Sequence, residues 1–283
     1  MRIATWNVNG IRAREAQVLG WIEADRPDVI CLQEIKAGDS QVPASLREVP
    51  GYWSFWHGSK GYSGVALLVS KELCSIAPAF VHPAFDLENR IVTALVGEIT
   101  VASVYVPNGG KDFPCKMRFL EALENYAAGF AATQDTLVLC GDINVARSEI
   151  DVHPKERKAV IGQLPQERTQ FERLLGAGLI DIARTLAPQN ESLYTWWAPW
   201  RQMRERNIGW RLDYILASSV LATSAKSCVT RRETGTSDHA PVIAEFAVSV
   251  PSNGTGAERG SGYAPIPSSK LPAAAGQQSF SFT

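Results

Sequence analysis

The chain has 283 residues, of which 45% are hydrophobic and 20% are charged, proportions that are ordinary for a globular protein. The formal net charge of -1 and the pI of about 6.4 give no overall electrostatic case for nucleic-acid binding, so any such surface must be local. We find no apolar run of membrane-spanning length and no secretory signal. The length allows one large domain or two small ones, with ample core.

The cysteine pattern argues for a reducing compartment. Five cysteines are scattered along the chain, their number is odd, and none forms a C-x-x-C pair. Such a pattern is typical of a reduced cytoplasmic protein without structural zinc.

The first predicted strand ends in two polar side chains. Residues Ile3–Trp6 have strand composition and lead into Asn7 and Asn9. Alternate residues of an extended chain share a face, so these two amides should point the same way. Apolar residues at helical spacing then predict a helix over Ala13–Ala24.

The second predicted strand, Asp28–Leu32, is a buried apolar run that delivers Glu34 at its end. Glu34 has two interpretations. It either faces a site at this edge of the sheet, or it is a surface acid paired with the nearby Lys36.

The middle of the chain predicts more strands. Residues Tyr52–His57 and Val65–Val69 have strand composition, and Gly61–Gly64 is predicted as the turn between them. Two further runs predict a hairpin around Gly97–Glu98, with arms at Ile91–Val96 and Ile99–Val106.

The most informative stretch is an apolar run that ends in a glycine, an acid and an amide. Residues Leu137–Cys140 read as a strand, and Gly141 leaves room for a close approach to the backbone. Asp142 and Asn144 should then face one point, and a carboxylate beside an amide suits a hard cation such as Mg²⁺. The alternative is an ordinary turn. Helices are predicted on either side, over Phe113–Ala132 and Gln166–Ala177.

The segment Tyr194–Arg211 interleaves tryptophan with arginine. Aromatic faces beside guanidinium groups suit a sugar-phosphate backbone with disturbed bases. In the alternative interpretation the tryptophans are core and the arginines form a solvated rim. The residues concerned are Trp196, Trp197, Trp200, Trp210, Arg201, Arg204, Arg206 and Arg211.

Two acidic groups stand at the beginnings of the last predicted strands. Asp213 lies near the start of Arg211–Leu216, and Asp238 and His239 precede Val242–Phe246. The remaining polar groups follow strand ends, and in antiparallel neighbours one strand's end lies beside the next strand's start. All of these groups should therefore gather at one rim of a mixed sheet or sandwich, where functional residues collect.

These motifs together resemble the exonuclease III family of apurinic/apyrimidinic (AP) endonucleases. The resemblance covers residues 1 to about 247, with seven motifs in family order. The motifs are Trp6–Gly10, Leu32–Glu34, Gly61–Gly64, Tyr105–Asn108, Gly141–Asn144, Gly209–Tyr214 and Ser237–Pro241. It implies a four-layered α/β sandwich, in which two packed mixed β-sheets are flanked by helices. A catalytic domain is expected over residues 1–250, and the Gly-, Ser- and Pro-rich residues 251–283 are predicted to be a disordered tail.

The resemblance also implies an activity, namely Mg²⁺-dependent hydrolysis of DNA on the 5′ side of an abasic site, with 3′→5′ exonuclease and 3′-end-cleaning activity. Mn²⁺ is the expected substitute metal, double-stranded DNA with abasic sites or blocked 3′ ends the expected partner, and a monomer the expected state. The implied catalytic group is Tyr105, Asp142, Asn144, Asp213 and His239. The implied metal-binding group is Asn7, Asn9, Glu34, Asp142, Asn144, Asp238 and His239. The implied substrate-binding group is Tyr62, Asn108, Arg201, Arg204, Arg206 and Trp210.

Two alternatives remain open from the residues alone. One is a non-specific nuclease or another phosphodiesterase on the same scaffold, and the other is a DNA-binding module without catalysis. The isolated His57, His82 and His153 are predicted to be surface or structural groups, because a partner in the right geometry marks a catalytic base.

Overall fold

The structure, a computed structural model, describes residues 1–248, so the predicted tail at 251–283 lies outside the described residues. Within this range the chain forms two six-stranded sheets. The strands are β1 Arg2–Asn7, β2 Val29–Gln33, β3 Tyr52–Ser59, β4 Tyr62–Ser70, β5 Phe80–Val81, β6 Ile91–Val96, β7 Ile99–Tyr105, β8 Thr136–Asp142, β9 Leu179–Asp181, β10 Asp213–Ser218, β11 Ala225–Thr230 and β12 Val242–Phe246. The helices are α1 Glu15–Asp25, α2 Ala44–Arg47, α3 Phe113–Thr133, α4 Pro165–Gly176, α5 Ile182–Leu186 and α6 Ser219–Ala222.

Both sheets are mixed. The first sheet has the strand order β11-β12-β1-β2-β4-β3, and the second has the order β5-β6-β7-β8-β10-β9. In the first sheet β1 and β2 are parallel, and in the second β7 and β8 are parallel, whereas the other neighbouring strands run antiparallel. The predicted hairpin is confirmed as β6 and β7, with Val96 opposite Ile99.

Three buried clusters of the core lie between the four layers of the sandwich. Apolar residues of both sheets, such as Val65 and Val138, meet in one buried cluster between the sheets. A second cluster holds α1 against the outer face of the first sheet through Val18 and Trp21, and a third holds α3 and α4 against the second sheet. The predicted fold class is confirmed, because helices cover the outer face of each sheet. Strands that are apolar on both faces require such cover.

Two predicted boundaries differ from the structure. The region predicted as a helix from Ala13 begins as a 3-10 turn, Ile11–Arg14, and becomes α-helical only at Glu15. The predicted turn at Gly61–Gly64 is shorter, because β4 already begins at Tyr62, which pairs with Ser59 across a bulge. Gly64 permits the close approach of β4 to Ile35, because a Cβ on Gly64 would lie 2.6 Å from the Ile35 side chain.

The register brings polar strand ends to one rim. Asp142 at the end of β8 is directly opposite Tyr105 on one side and Asp213 on the other. In the first sheet Asn7 at the end of β1 pairs with Gln33 at the end of β2. The convergence expected from the chain order is therefore present, because parallel ends and antiparallel starts meet at the same edge.

Gly141 is required by the close approach of β7. A Cβ added there would lie 1.8 Å from the carbonyl oxygen of Val104, which is backbone and has no room to move. We expect Gly141→Ala to lower the free energy of unfolding by about 3 kcal/mol or more, measured by urea denaturation. Gly129→Ala is the control, because nothing lies within 4 Å of its Cβ position in the exposed face of α3 and alanine favours helices. Equal stability of the two variants would contradict this reading.

Candidate active site

A cavity of about 370 Å³ opens at this rim. Its wall combines carboxylates, amides, one imidazole and two indoles. The lining residues are Glu34, Tyr105, Asn108, Asp142, Asn144, Ile161, Gly162, Trp196, Trp210, Leu212, Asp238 and His239. Such a concave site with a few convergent polar groups is the usual form of a catalytic pocket.

His239 lies between two buried carboxylates. Its Nδ1 is 2.8 Å from Asp213 Oδ2, and its Nε2 is 3.8 Å from Asp142 Oδ2. Asp213 Oδ2 also accepts the hydroxyl of Thr195 at 2.6 Å, so the carboxylate that orients the imidazole is itself held. This arrangement leaves Nε2 to face the pocket, because Nδ1 is occupied.

Burial and charge shift the pKa values of this group. Burial, together with the nearby charge of Asp213, raises the pKa of Asp142 to about 7, although His239 acts in the opposite sense. Burial alone would lower the pKa of His239, but Asp213 and Asp142 outweigh it and raise that pKa to about 10. The imidazole is therefore cationic at neutral pH. Strongly shifted groups in a cleft are characteristic of functional sites.

Two amides fix the carboxylate of Asp142. Asn7 Nδ2 donates to its Oδ2 at 2.9 Å, and the backbone N–H of Asn144 donates to its Oδ1 at 2.9 Å. The side chain of Asn144 adds a bond to Oδ2 at 3.1 Å, and its own oxygen accepts Asn108 Nδ2 at 3.2 Å. The first of these bonds joins the two sheets, so the sandwich itself sets the position of Asp142.

A second carboxylate group lies on the side of the first sheet. Asn9 Nδ2 donates to Asp238 Oδ1 at 2.8 Å, and the Trp196 indole donates to Asp238 Oδ2 at 3.0 Å. Lys36 Nζ is 2.9 Å from Glu34 Oε1 and donates to Asn9 Oδ1 at 2.6 Å. Glu34 thus fits both interpretations, since it borders the cavity and also pairs with Lys36.

The donor set fits a divalent metal ion. Glu34, Asp142 and Asp238 offer carboxylate oxygens, and Asn7 and Asn9 offer amide oxygens, which are the ligands that hard cations prefer.

Backbone strain marks the same group. Asn9, Glu34, Lys36 and Asn144 all have left-handed backbone conformations, with φ values of 46°, 54°, 51° and 55°. Such conformations are uncommon for residues other than glycine and cost about 1–3 kcal/mol each where the surroundings impose them. Strain of this kind concentrates at sites where side chains must point in a set direction.

Tyr105 is held as a neutral hydroxyl. Burial, together with the negative charges of Glu34 and Asp142, raises its pKa well above the ordinary value of a tyrosine. The guanidinium of Arg90 lies 4.8 Å from the centre of the Tyr105 ring and donates to the Tyr62 hydroxyl at 3.1 Å. Arg90 therefore joins the two tyrosines, and Tyr105 is a hydrogen-bond donor rather than a phenolate.

The tryptophan and arginine segment divides into two parts. Trp196 and Trp210 wall the cavity edge to face, with ring centres 5.4 Å apart. Trp200 is 59% exposed, and Arg201 and Arg206 are also exposed. Trp196 and Trp210 therefore line the cavity, whereas Trp200, Arg201 and Arg206 lie on the surface.

Arg204 and Arg211 do not face a ligand. The guanidinium of Arg204 donates to the carbonyls of Arg232, Ser237 and Thr234, so it supports the loop before His239 instead of offering free donors. Arg211 is buried and binds Asp151 and Asp181 through its guanidinium. The assignment of Arg204 to the substrate-binding group is corrected for this reason, because its donors are already used by the protein.

Sequence reasoning missed Lys116 and Glu167. Both are fully buried and form an ion pair. Lys116 Nζ also donates to the carbonyls of Asn144 at 2.7 Å and Asn108 at 3.2 Å, and Glu167 accepts the N–H of Gly162 at 2.7 Å. The pair ties three parts of the cavity wall together. No local signal marks these residues, because their partners lie far apart in the chain.

Among residues 1–248, no helix has the length and apolar character needed to cross a bilayer.

Comparison with known proteins places the chain in a family. The model of the Endonuclease/Exonuclease/phosphatase family matches residues 4–239. Exodeoxyribonuclease III of Haemophilus influenzae is 35% identical, and the match spans 87% of this chain and all of that protein. The predicted membership is confirmed, because these matches cover most of the chain.

Two solved structures share the fold over their whole length. One is an AP endonuclease from Archaeoglobus fulgidus, with a TM-score of 0.79 and 32% identity, and it covers 88% of this chain. The other is a 3′ phosphatase from Neisseria bound to a product DNA hairpin, with a TM-score of 0.79, 33% identity and the same coverage. The chain belongs to the Endonuclease/Exonuclease/phosphatase family, and within it to the exonuclease III group of AP endonucleases.

Proposed function

We propose that this protein is a Mg²⁺-dependent DNA repair phosphodiesterase that cuts the strand on the 5′ side of an abasic site and leaves a 3′-hydroxyl. The observation that carries the proposal is the line of Asp213, His239 and Asp142 at the floor of an acidic, indole-walled cavity. A solved relative of similar fold is an AP endonuclease.

Asp142 is the group that takes a proton from the attacking water. Asn7 and Asn144 hold its carboxylate, and burial raises its pKa, which makes it a better base than an ordinary aspartate. His239, cationic and fixed by Asp213, donates to a phosphoryl oxygen through Nε2. The hydroxyl of Tyr105 and the second hydrogen of the Asn108 amide are further donors to the phosphate, whereas the Asn144 amide donates to Asp142 and to the Val106 carbonyl and serves to position Asp142.

Glu34, Asn7, Asn9 and Asp238 would hold Mg²⁺, with Asp142, Asn144 and His239 at the boundary of the same site. Mn²⁺ suits the same oxygen donors. When bound, the ion supplies positive charge that stabilises the phosphate during displacement. Lys36 is the residue that now compensates Glu34, at 2.9 Å.

The indole wall supports a preference for abasic sites. A nucleotide without its base leaves the stack at low cost, and Trp210 and Trp196 offer flat apolar faces to a base-free sugar. The exposed Trp200, its chain neighbours Arg201 and Arg206, and the exposed Tyr62 supply aromatic and cationic contacts to the surrounding double-stranded DNA.

The same site is also suited to blocked or unpaired 3′ ends. A related fold belongs to a 3′ phosphatase that was solved with a DNA hairpin, and a homologous protein is named exodeoxyribonuclease III. The reacting group in each case is a phosphate ester next to a 3′ carbon, so one arrangement of base and donors serves all three reactions. We propose that the protein acts as a monomer in the cytoplasm, where its five free thiols remain reduced.

A duplex with a single tetrahydrofuran abasic analogue tests the proposal. With Mg²⁺ we expect one incision, immediately 5′ to the analogue, and with EDTA we expect none, because the acidic donor set needs a cation. The products are measured on a sequencing gel beside an intact duplex. Cutting throughout both duplexes would indicate a non-specific nuclease, and binding without cutting would indicate a DNA-binding module. Either result would overturn the proposal.

Trp210→Ala tests the role of the indole wall. Trp210 is 9% exposed and packs against Trp196, so its loss opens the cavity. We expect kcat/KM on the abasic duplex to fall by about tenfold to a hundredfold, because the base-free sugar loses the apolar wall that positions it, and a misplacement of about 1 Å can cost about 10²-fold. Affinity for an intact duplex should change by less than the abasic preference. Trp53→Ala is the control, because Trp53 lies on β3 beside Cys74 and does not line the cavity. An unchanged abasic preference would contradict the assignment.

A further inference from the structure

A second group of metal-binding side chains lies outside the active-site cavity. His57, His82 and Asp86 each offer one ligand atom, and these atoms lie within 4.8 Å of one another. None of the three lines the catalytic cavity. His57 is on β3, at the edge of the first sheet, and His82 directly follows β5, at the edge of the second.

The carboxylate of Asp86 is already oriented for a ligand. Its Oδ1 accepts the backbone N–H groups of Arg90 at 2.8 Å and Ile91 at 3.1 Å. Its Oδ2 is thereby turned to the two imidazoles, at 2.6 Å from His57 Nε2 and 4.0 Å from His82 Nδ1. In protein metal sites, hydrogen bonds of this kind, from groups that do not touch the metal, fix the orientation of a carboxylate ligand.

The two imidazoles are close together but differ in solvent exposure. Their rings stack with centres 4.6 Å apart. The side chain of His57 is 13% exposed, and that of His82 is 53% exposed. His82 therefore has room to turn toward Asp86 without disturbing the core, and its exposure leaves the remaining coordination position to water.

We propose that His57, His82 and Asp86 bind one Zn²⁺ ion. In a tetrahedral zinc site ligand atoms about 2.0–2.1 Å from the metal are about 3.3 Å apart, so a shift of less than about 1 Å at each atom gives that geometry. Imidazole nitrogen with one carboxylate selects zinc or a neighbouring late transition metal and is disfavoured by Mg²⁺. The site differs in ligand chemistry from the oxygen-rich catalytic cavity.

The bound ion would fasten the two sheets at their edges. One ligand comes from β3 and two come from the chain after β5, and Phe55 already stacks on Phe80 across the same junction with ring centres 5.4 Å apart. The clamped segment runs from residue 82 to residue 90, where Arg90 contacts both Tyr62 and Tyr105. The ion would therefore stiffen a support of the active site without touching substrate.

Calorimetric titration of Zn²⁺ into metal-stripped full-length protein in excess Mg²⁺ tests the proposal. We expect His82→Asn and His57→Asn each to weaken Zn²⁺ binding by at least about tenfold, which is the usual effect of losing a ligand or its support. His82 is half-exposed, so His82→Asn should fold normally even if His57→Asn does not. His153→Asn, which removes a distant imidazole, and Glu34→Gln, which alters the catalytic group, should bind Zn²⁺ as the wild type does.

Hydrogen exchange gives an independent readout. Zn²⁺ should slow amide exchange across residues 82–90 in the wild type and leave it unchanged in His82→Asn, because ordering of this segment needs all three ligands. Wild-type affinity in His82→Asn would overturn the proposal. Loss of Zn²⁺ binding in Glu34→Gln with retention in His82→Asn would overturn it too, since the ion would then sit in the catalytic cavity.

Discussion

Asp142→Asn is expected to lower kcat for incision by about 10²- to 10⁴-fold, the range that a positioned general base contributes. The amide cannot accept a proton from water. It has nearly the same shape and keeps one oxygen for the N–H of Asn144, which is 2.9 Å from the carboxylate in the wild type, but its NH₂ group then faces the donors Asn7 Nδ2 and Asn144 Nδ2. The substitution also removes a buried negative charge whose pKa burial has raised. We therefore expect a large loss of catalytic rate and only a small loss of stability.

Single-turnover incision of the abasic duplex measures this effect, with circular dichroism as the check on folding. Asp39→Asn is the matched control, because Asp39 is an exposed aspartate outside the cavity. We expect the control to cut at the wild-type rate. Wild-type turnover in Asp142→Asn would show that another group activates the water.

His239→Asn is expected to lower kcat by about 10²- to 10³-fold, the effect of removing one donor that stabilises developing charge. The cationic imidazole lies between two carboxylates. Its Nδ1 is 2.8 Å from Asp213, and its Nε2 is 3.8 Å from Asp142. The melting temperature should fall as well, because the two buried carboxylates lose the cation between them. Thr195 still donates to Asp213, which limits that loss.

The measurements for His239→Asn are kcat on the abasic duplex and the affinity for the same duplex in EDTA. We expect affinity to change much less than kcat, since the phosphate contacts of the surrounding DNA are made elsewhere. His153→Asn, at a partly exposed histidine outside the cavity, is the control. If kcat stayed within a factor of two of the wild type, the role of His239 would be wrong.

The strands and the gathering of polar groups at one rim were predictable because they follow from local rules. Apolar runs such as Leu137–Cys140 give the strands, and parallel or antiparallel pairing then decides which ends meet. The alternation of side chains along a strand set the direction of Asn7 and Asp142, which the structure joins at 2.9 Å. These features depend on a few residues each, so the sequence carries them.

Features that depend on distant partners were not predictable. Arg204 and Arg201 lie in the same segment rich in tryptophan and arginine. Only the folded loop shows that Arg204 donates to three backbone carbonyls. Lys116 and Glu167 are 51 residues apart, and their pairing appears only when α3 and α4 pack. The shorter turn before Tyr62 has the same origin, because a bulge in β3 decides where pairing resumes.

The most direct test is a crystal structure of the Asp142→Asn variant with an abasic-analogue duplex and Mg²⁺. We expect the phosphate on the 5′ side of the analogue to lie in the cavity, with an oxygen about 3 Å from His239 Nε2, the metal ion on Glu34 and the base-free sugar against Trp210. A duplex bound on another face, or a scissile phosphate far from both His239 and Glu34, would contradict the account.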